Sequence, residues 1–191
     1  MNLKLVTPSA SQPVSLSTVK AHLRLPSSYT AEDTMLQAYI DAAVKTAEDR
    51  TNRALMEQTW RATLDKVPSL IRINKTPLIS VTSIQYYDSD GSLQTLSSDD
   101  YIVDGDGEPW RIIPAPGISF PSTQDRLNAV TITFKAGYAS ESLVPKNIIA
   151  GILMIVDDLW KNRGTIVTGT IVSEIPLTAD KLFSTERIAW L

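Results

Sequence analysis

With 191 residues, 43% of them apolar and 20% charged, the chain has the composition of a globular protein of one domain, or of one domain carrying an insertion. A formal charge of -3 excludes the strongly basic profile of a protein that binds by neutralising phosphates, so tight nucleic-acid binding is not expected. The absence of cysteine removes disulfides, thiolate nucleophiles and Cys-based metal sites together.

The opening Met1-Asn2-Leu3-Lys4-Leu5-Val6-Thr7-Pro8 lacks the longer apolar stretch and small-residue cleavage site of a secretory signal, and it leads into a Ser/Pro/Gln-containing leader. Ser15 is a good helix N-cap, with Val14 and Val19 placed to staple across it, and the spacing predicts a short helix to about Leu25, stopped by Pro26. Thr30 followed by Asp33 resembles a capping box. Met35, Leu36, Tyr39, Ile40, Ala43, Val44 and Ala47 then recur at helical spacing, predicting a long amphipathic helix that ends at Asn52, a residue tolerant of the left-handed cap.

From Gln58 the period changes to two. Trp60, Ala62 and Leu64 share a face, as do Ile71 and Ile73, and later Val130, Ile132 and Phe134. Two hairpins are expected, one turning at Asp88-Ser89-Asp90-Gly91 and one around Gly105-Asp106-Gly107, before an irregular loop marked by Pro114, Pro116, Gly117 and Pro121. Helix character returns at Pro145, and apolar residues from Ile148 to Trp160 cover more than one face, so this helix should be central to the core. Its uninterrupted apolar run, Ile148 to Val156, is too short for a membrane span of about 18 residues. Gly164 is placed to end it. Residues 165–191 carry a Thr/Val/Ile stretch, a short helix from Pro176 to Phe183 and an apolar end without an obvious partner in the chain. The expected fold class is α+β, a helical bundle formed by the N- and C-terminal segments with a β-rich insertion in the middle. The parts are residues 1–56, 57–138 and 139–191, together one compact unit.

Chemistry has few places to reside. His22 is the sole histidine and sits between Ala21 and Leu23 on a helix, where a structural role is the ordinary one. No phosphate-binding loop, Gly-x-Ser-x-Gly or His-Glu-x-x-His pattern occurs, and no cofactor or metal is implied. Asp88, Asp90, Asp99, Asp100, Asp104, Asp106 and Glu108 crowd one stretch, but their spacing does not fit an EF-hand, and solvated turns explain them. Asp157 and Asp158 are adjacent on a helix, about 100° apart, and cannot serve one substrate as acid and base. Trp60, Trp110, Trp160, Tyr86, Tyr87 and Tyr101 could form a stacking platform, although strand and helix spacing more often places such residues in a core.

Four stretches in this order resemble the head-tail connector (adaptor) family of long-tailed bacteriophages. They are Val14 to Arg24; Thr51-Asn52-Arg53-Ala54-Leu55 with Gln58-Thr59-Trp60; Pro77 to Ile84 with Tyr86, Asp88 and Gly91; and Ala136-Gly137-Tyr138 followed by Val144-Pro145 and the apolar helix to Asn162-Arg163. Asn52 departs from the Gly expected in relatives, a mild change because both accept the left-handed cap. The resemblance implies a non-enzymatic structural subunit of a ring, expected to be dodecameric, between the portal protein and the next neck or tail-completion protein. Its place would be the virion neck, reached from the host cytoplasm during assembly, with no membrane partner. DNA would pass through the lumen without specific binding, and an acidic wall suits that passage. Heterologous contacts would close the ring, for which the flanking helical regions are candidates.

Phe183, Ile188, Trp190 and Leu191 are the candidate residues for docking on the portal or a neighbouring subunit, because they are apolar residues in a tail without an evident internal core. The alternatives are another neck, tail-completion or capsid-stabilising protein of the same particle and, more distantly, a carboxylate-based hydrolase using Asp104 or Asp106.

Overall fold

The computed structural model describes residues 1–162 and 177–188. The chain divides into two compact units, each built from separate stretches: one from residues 1–11 and 56–139, the other, among the described residues, from 12–55, 140–162 and 177–188.

The first unit is made of strands. β1 (Asn2–Thr7), β2 (Gln58–Leu64), β4 (Leu78–Tyr87), β5 (Leu93–Thr95) and β8 (Val130–Ala136) form an antiparallel sheet in the order β1-β2-β8-β4-β5. β3 (Ile71–Ile73), β6 (Tyr101–Asp104) and β7 (Trp110–Pro114) form a second, ordered β3-β7-β6. Alternation fixes the faces: Val130, Ile132, Phe134 and Ala136 are buried, and the register sets Trp60 opposite Phe134 and Ala62 opposite Ile132. Trp110 of β7 meets Phe134 of β8 edge to face, with ring centroids 5.0 Å apart, and its indole N–H donates to the Lys75 carbonyl at 2.9 Å. The two sheets therefore share one core. Where β8 ends, Gly137 adopts a φ of 126°, and a Cβ there would lie 2.1 Å from the Met56 carbonyl oxygen, so only glycine lets the chain leave the sheet at this point.

The second unit is helical: α1 (Leu16–His22), α2 (Asp33–Thr51), α3 (Lys146–Lys161) and α4 (Leu177–Ser184). Ser15 caps α1 by accepting from the Thr18 amide at 3.2 Å, with Val14 and Val19 both buried beside it. α2 buries Leu36, Ile40, Ala43, Ala47 and Thr51 as a narrow stripe. α3 buries Ile148, Gly151, Ile152, Ile155 and Val156, and packs against both α2 and α4. The Thr30–Asp33 capping box does not form. α2 instead begins at Asp33, whose carboxylate takes the buried Lys20 amine of α1 at 2.6 Å. A tertiary ion pair has displaced the local cap.

The expected helical bundle with a central β insertion is not the fold found. Among the described residues there are four helices and eight strands in two antiparallel sheets, roughly 32% helix and 27% strand, so neither class is an insertion into the other. The decisive element is β1. It precedes every helix, yet it pairs with β2 from Asn2 opposite Thr63 to Thr7 opposite Thr59, so the sheet begins at the first residues of the chain.

Candidate docking surfaces

Phe183 and Ile188, two of the four candidate docking residues, lie inside the helical unit. Phe183 is 1% exposed and rests on α3 where Gly151 removes a side chain; a Cβ at Gly151 would come within 2.4 Å of the Phe183 ring. Ile188 is also buried, and its amide donates to the Thr51 carbonyl at 3.1 Å, satisfying one of the acceptors left open at the end of α2. Asn52, left-handed at φ 60°, sends its side-chain amide to the Ile188 carbonyl at 3.1 Å. Arg53 donates to the Glu186 carbonyl at 2.8 Å, and Asn147 reaches Thr185 at 3.2 Å. The segment after α4 thus ties down the C-terminal end of α2. Trp190 and Leu191 lie outside the described residues.

The acidic stretch resolves into turn chemistry. Asp88 accepts from the amides of Asp90 and Ser92 and from the Gln94 side chain at 2.9 Å, and the Gln94 bond, then the Ser92 amide, hold its carboxyl below the usual carboxylate range. Asp104 is held low chiefly by its hydrogen bond from Arg111, one strand away on β7. A general acid needs the opposite shift. Asp106 carries no such partner set, and among the described residues no group of three His, Cys, Asp or Glu is placed to hold a metal ion.

His22 is exposed on α1. Asp157 pairs with Lys161 at 2.6 Å while Asp158 accepts from Asn162 at 2.9 Å, each with its own partner one turn on. Trp110 is core, the Trp60 ring lies under the Lys75 amine at 4.7 Å, and burial pushes the Tyr101 hydroxyl up. Among the described residues the ring-to-ring contact is that of Trp110 with Phe134, inside the core. A recess of about 360 Å³ lined by Leu16, Ser17, Lys20, Ala21, Leu25 and Ser27 offers no reactive pair, since Lys20 is committed to Asp33. Among the described residues no helix is long and apolar enough to cross a membrane.

What the sequence did not point to is the charge on the edge strand. Lys4 of β1 stands directly opposite Arg61 of β2, so both side chains leave the same face of the sheet as an exposed like-charged pair. The strict alternation of Leu3, Lys4 and Leu5 was the available signal.

Residues 13–103 match the family model of the phage gp6-like head-tail connector proteins. That stretch carries the likeness to the phage head-tail connector family. The match covers α1, α2 and the strands from β2 through most of β6, and it contains the Ser15 cap and the Asn52 turn described above. No curated protein sequence matches significantly. Among solved structures, a chain from the neck of an empty GTA particle computed with C6 symmetry is 23% identical with a TM-score of 0.77, covering 100% of this chain and 97% of that one. A chain from the virion of the native gene transfer agent particle is 22% identical with a TM-score of 0.77 and the same coverage. One from the neck of the native particle computed with C12 symmetry is 19% identical, with a TM-score of 0.73 and the same coverage. At these identities the likeness shows a fold shared with those chains along the whole length, including the part beyond residue 103.

Proposed function

We propose that this connector is a structural subunit of the neck of a phage-like particle, where copies form a ring beneath the portal through which DNA passes. The observation that carries the reading is the family match over residues 13–103, joined to a fold shared along the full chain with proteins from particle necks. Ring formation is supported by the C6 and C12 symmetry of the neck structures in which those relatives were determined. The portal on one side and a neck or tail-completion protein on the other are the partners this position requires. A twelve-membered ring is the number we adopt. The chain is made in the host cytoplasm and is incorporated there.

The net negative charge fits a channel that DNA must traverse without being held, since a phosphate-attracting wall would slow its passage. No arrangement found among the described side chains calls for catalysis. For attachment, we assign docking on the portal or a neighbouring subunit to Trp190 and Leu191, with Phe183 and Ile188 as the buried anchors that hold the segment in place. Truncation after Gly164 would remove those anchors and damage the helical unit itself, so the informative variant lacks only residues 189–191. It should fold normally and fail to attach to portal-bearing heads; attachment at the level of the full chain would overturn the assignment.

Electron microscopy of a lysate lacking this gene tests the function as a whole. Accumulation of DNA-filled heads beside finished, unattached tails is expected. Normal infectious particles would refute the neck role, and assembled heads that lose their DNA before any tail is made would favour a capsid-stabilising protein instead.

A further inference from the structure

The five-stranded sheet carries opposite charge at its two edges. At one, Lys4 and Arg61 stand side by side on β1 and β2, exposed, and no ion pair engages either among the described residues. The carboxylates at either end of β2 are occupied elsewhere: Glu57 by Lys135 at 2.8 Å and Asp65 by the Asn128 amide at 2.8 Å. Like charges directly opposite each other disfavour the strand pair unless something neutralises them. At the other edge, β5 is flanked by Asp88 and Asp90 in the turn before it and by Asp99 and Asp100 in the 3-10 turn after it. Asp88 is held by its own turn, whereas Asp90 and Asp99 are exposed and make no ion pair among the described residues. Arg126, stacked over Tyr87 at 3.9 Å, is the neighbouring cation and leaves the acidic excess in place.

Both edges also expose apolar side chains on short or unpaired strands: Leu5 is 41% and Val6 43% exposed on β1, and Leu93 is 54% exposed on β5. An unpaired strand edge with apolar residues is normally covered or blunted. The edges lie four strand steps apart, roughly 19 Å, so one molecule cannot neutralise its own pair. A second copy can, because each molecule offers both unlike surfaces.

We propose that the β1–β2 edge of one subunit, through Lys4 and Arg61, meets the β5 edge of the next, through Asp90 and Asp99, with Leu5 and Val6 packed towards Leu93. Contact between unlike surfaces is the kind that closes a ring by rotation. The inference rests on the ring proposed above and assigns its contact. It places the seam on the β unit, where the sequence had suggested the helical ends.

The chain has no cysteine, so a Leu5→Cys, Leu93→Cys variant reports the contact without background. Both positions are exposed, so folding is expected to be unaffected. In assembled particles, mild oxidation should give a ladder of cross-linked multimers, and either single variant should give none. Lys4→Glu with Arg61→Glu should cut the yield of ringed necks by about tenfold or more, since like charges would then face each other across every seam. Adding Asp90→Lys and Asp99→Lys should restore it. A visible ring with no ladder, or one indifferent to the charge reversal, would overturn the proposal and leave the ring reading intact. If reversal spares the ring but alters DNA retention, the cations face DNA and the proposal likewise fails. Particles with no ring of this chain at all would remove the parent reading too.

Discussion

Gly151 and Phe183 act as a single feature, a missing side chain on α3 filled by a ring from α4. Gly151→Ala should cost about 1–3 kcal/mol through overpacking, and Phe183→Ala about 3–5 kcal/mol through the cavity it leaves. In the Phe183→Ala background the added methyl has room, so the double variant should lose clearly less than the sum, measured by denaturant unfolding of all four members of the cycle. Additive losses would mean the ring does not occupy the space above Gly151. Asp104 offers a second test through pH. Its carboxyl titrates lower in the folded chain than in the unfolded one, so its contribution to stability is present above the ordinary carboxylate value near 3.8 and fades as pH falls through the lower folded value. Arg111→Gln should therefore lower stability slightly at neutral pH, because the pair is exposed, and the difference from the parent chain should vanish as pH falls below the lower folded value, measured by denaturant unfolding across that range.

Among the elements, the end of α2 shows how much was legible and where legibility stopped. The 3.6-residue period of α2 and α3 and the period-two burial of β8 are strong because each element presents a long one-sided face to a core. Asn52 was readable as a left-handed stop, and the structure adds that its side chain also binds the Ile188 carbonyl. Asn52→Ala should cost about 1–2 kcal/mol, combining left-handed strain with a lost hydrogen bond, whereas Asn52→Gly should lose only the bond and cost about half as much. Thermal unfolding of the two variants separates these terms. β1 was missed because it is six residues long and mostly exposed, so its alternation carries little hydrophobic contrast. The capping box was misread because Asp33 is claimed by Lys20 from another helix, a competitor that local spacing does not reveal. The partner of Phe183 was invisible for a simpler reason. It is a glycine, and a contact made by the absence of a side chain leaves no mark in an apolar pattern.

At the scale of the whole molecule, the family was legible from the order of four short stretches, although the arrangement of the fold was not. Each unit is built from stretches far apart in the chain, so local periodicity gives the elements without saying which unit owns them. The functional reading came from that resemblance, while the lack of cysteine, the single histidine and the acidic balance only narrowed the chemistry to look for. The like-charged pair on the sheet edge was not legible, because Lys4 and Arg61 lie 57 positions apart in the sequence (61 minus 4) and become neighbours only through the β1–β2 register.

The most direct test of the neck role is a symmetry-resolved reconstruction of the neck from particles that carry this chain with a bulky tag on an exposed loop. A closed ring of tags in one layer directly below the portal, one per subunit, is expected. Tag density on the capsid surface, in the tail tube or absent from the particle would contradict it.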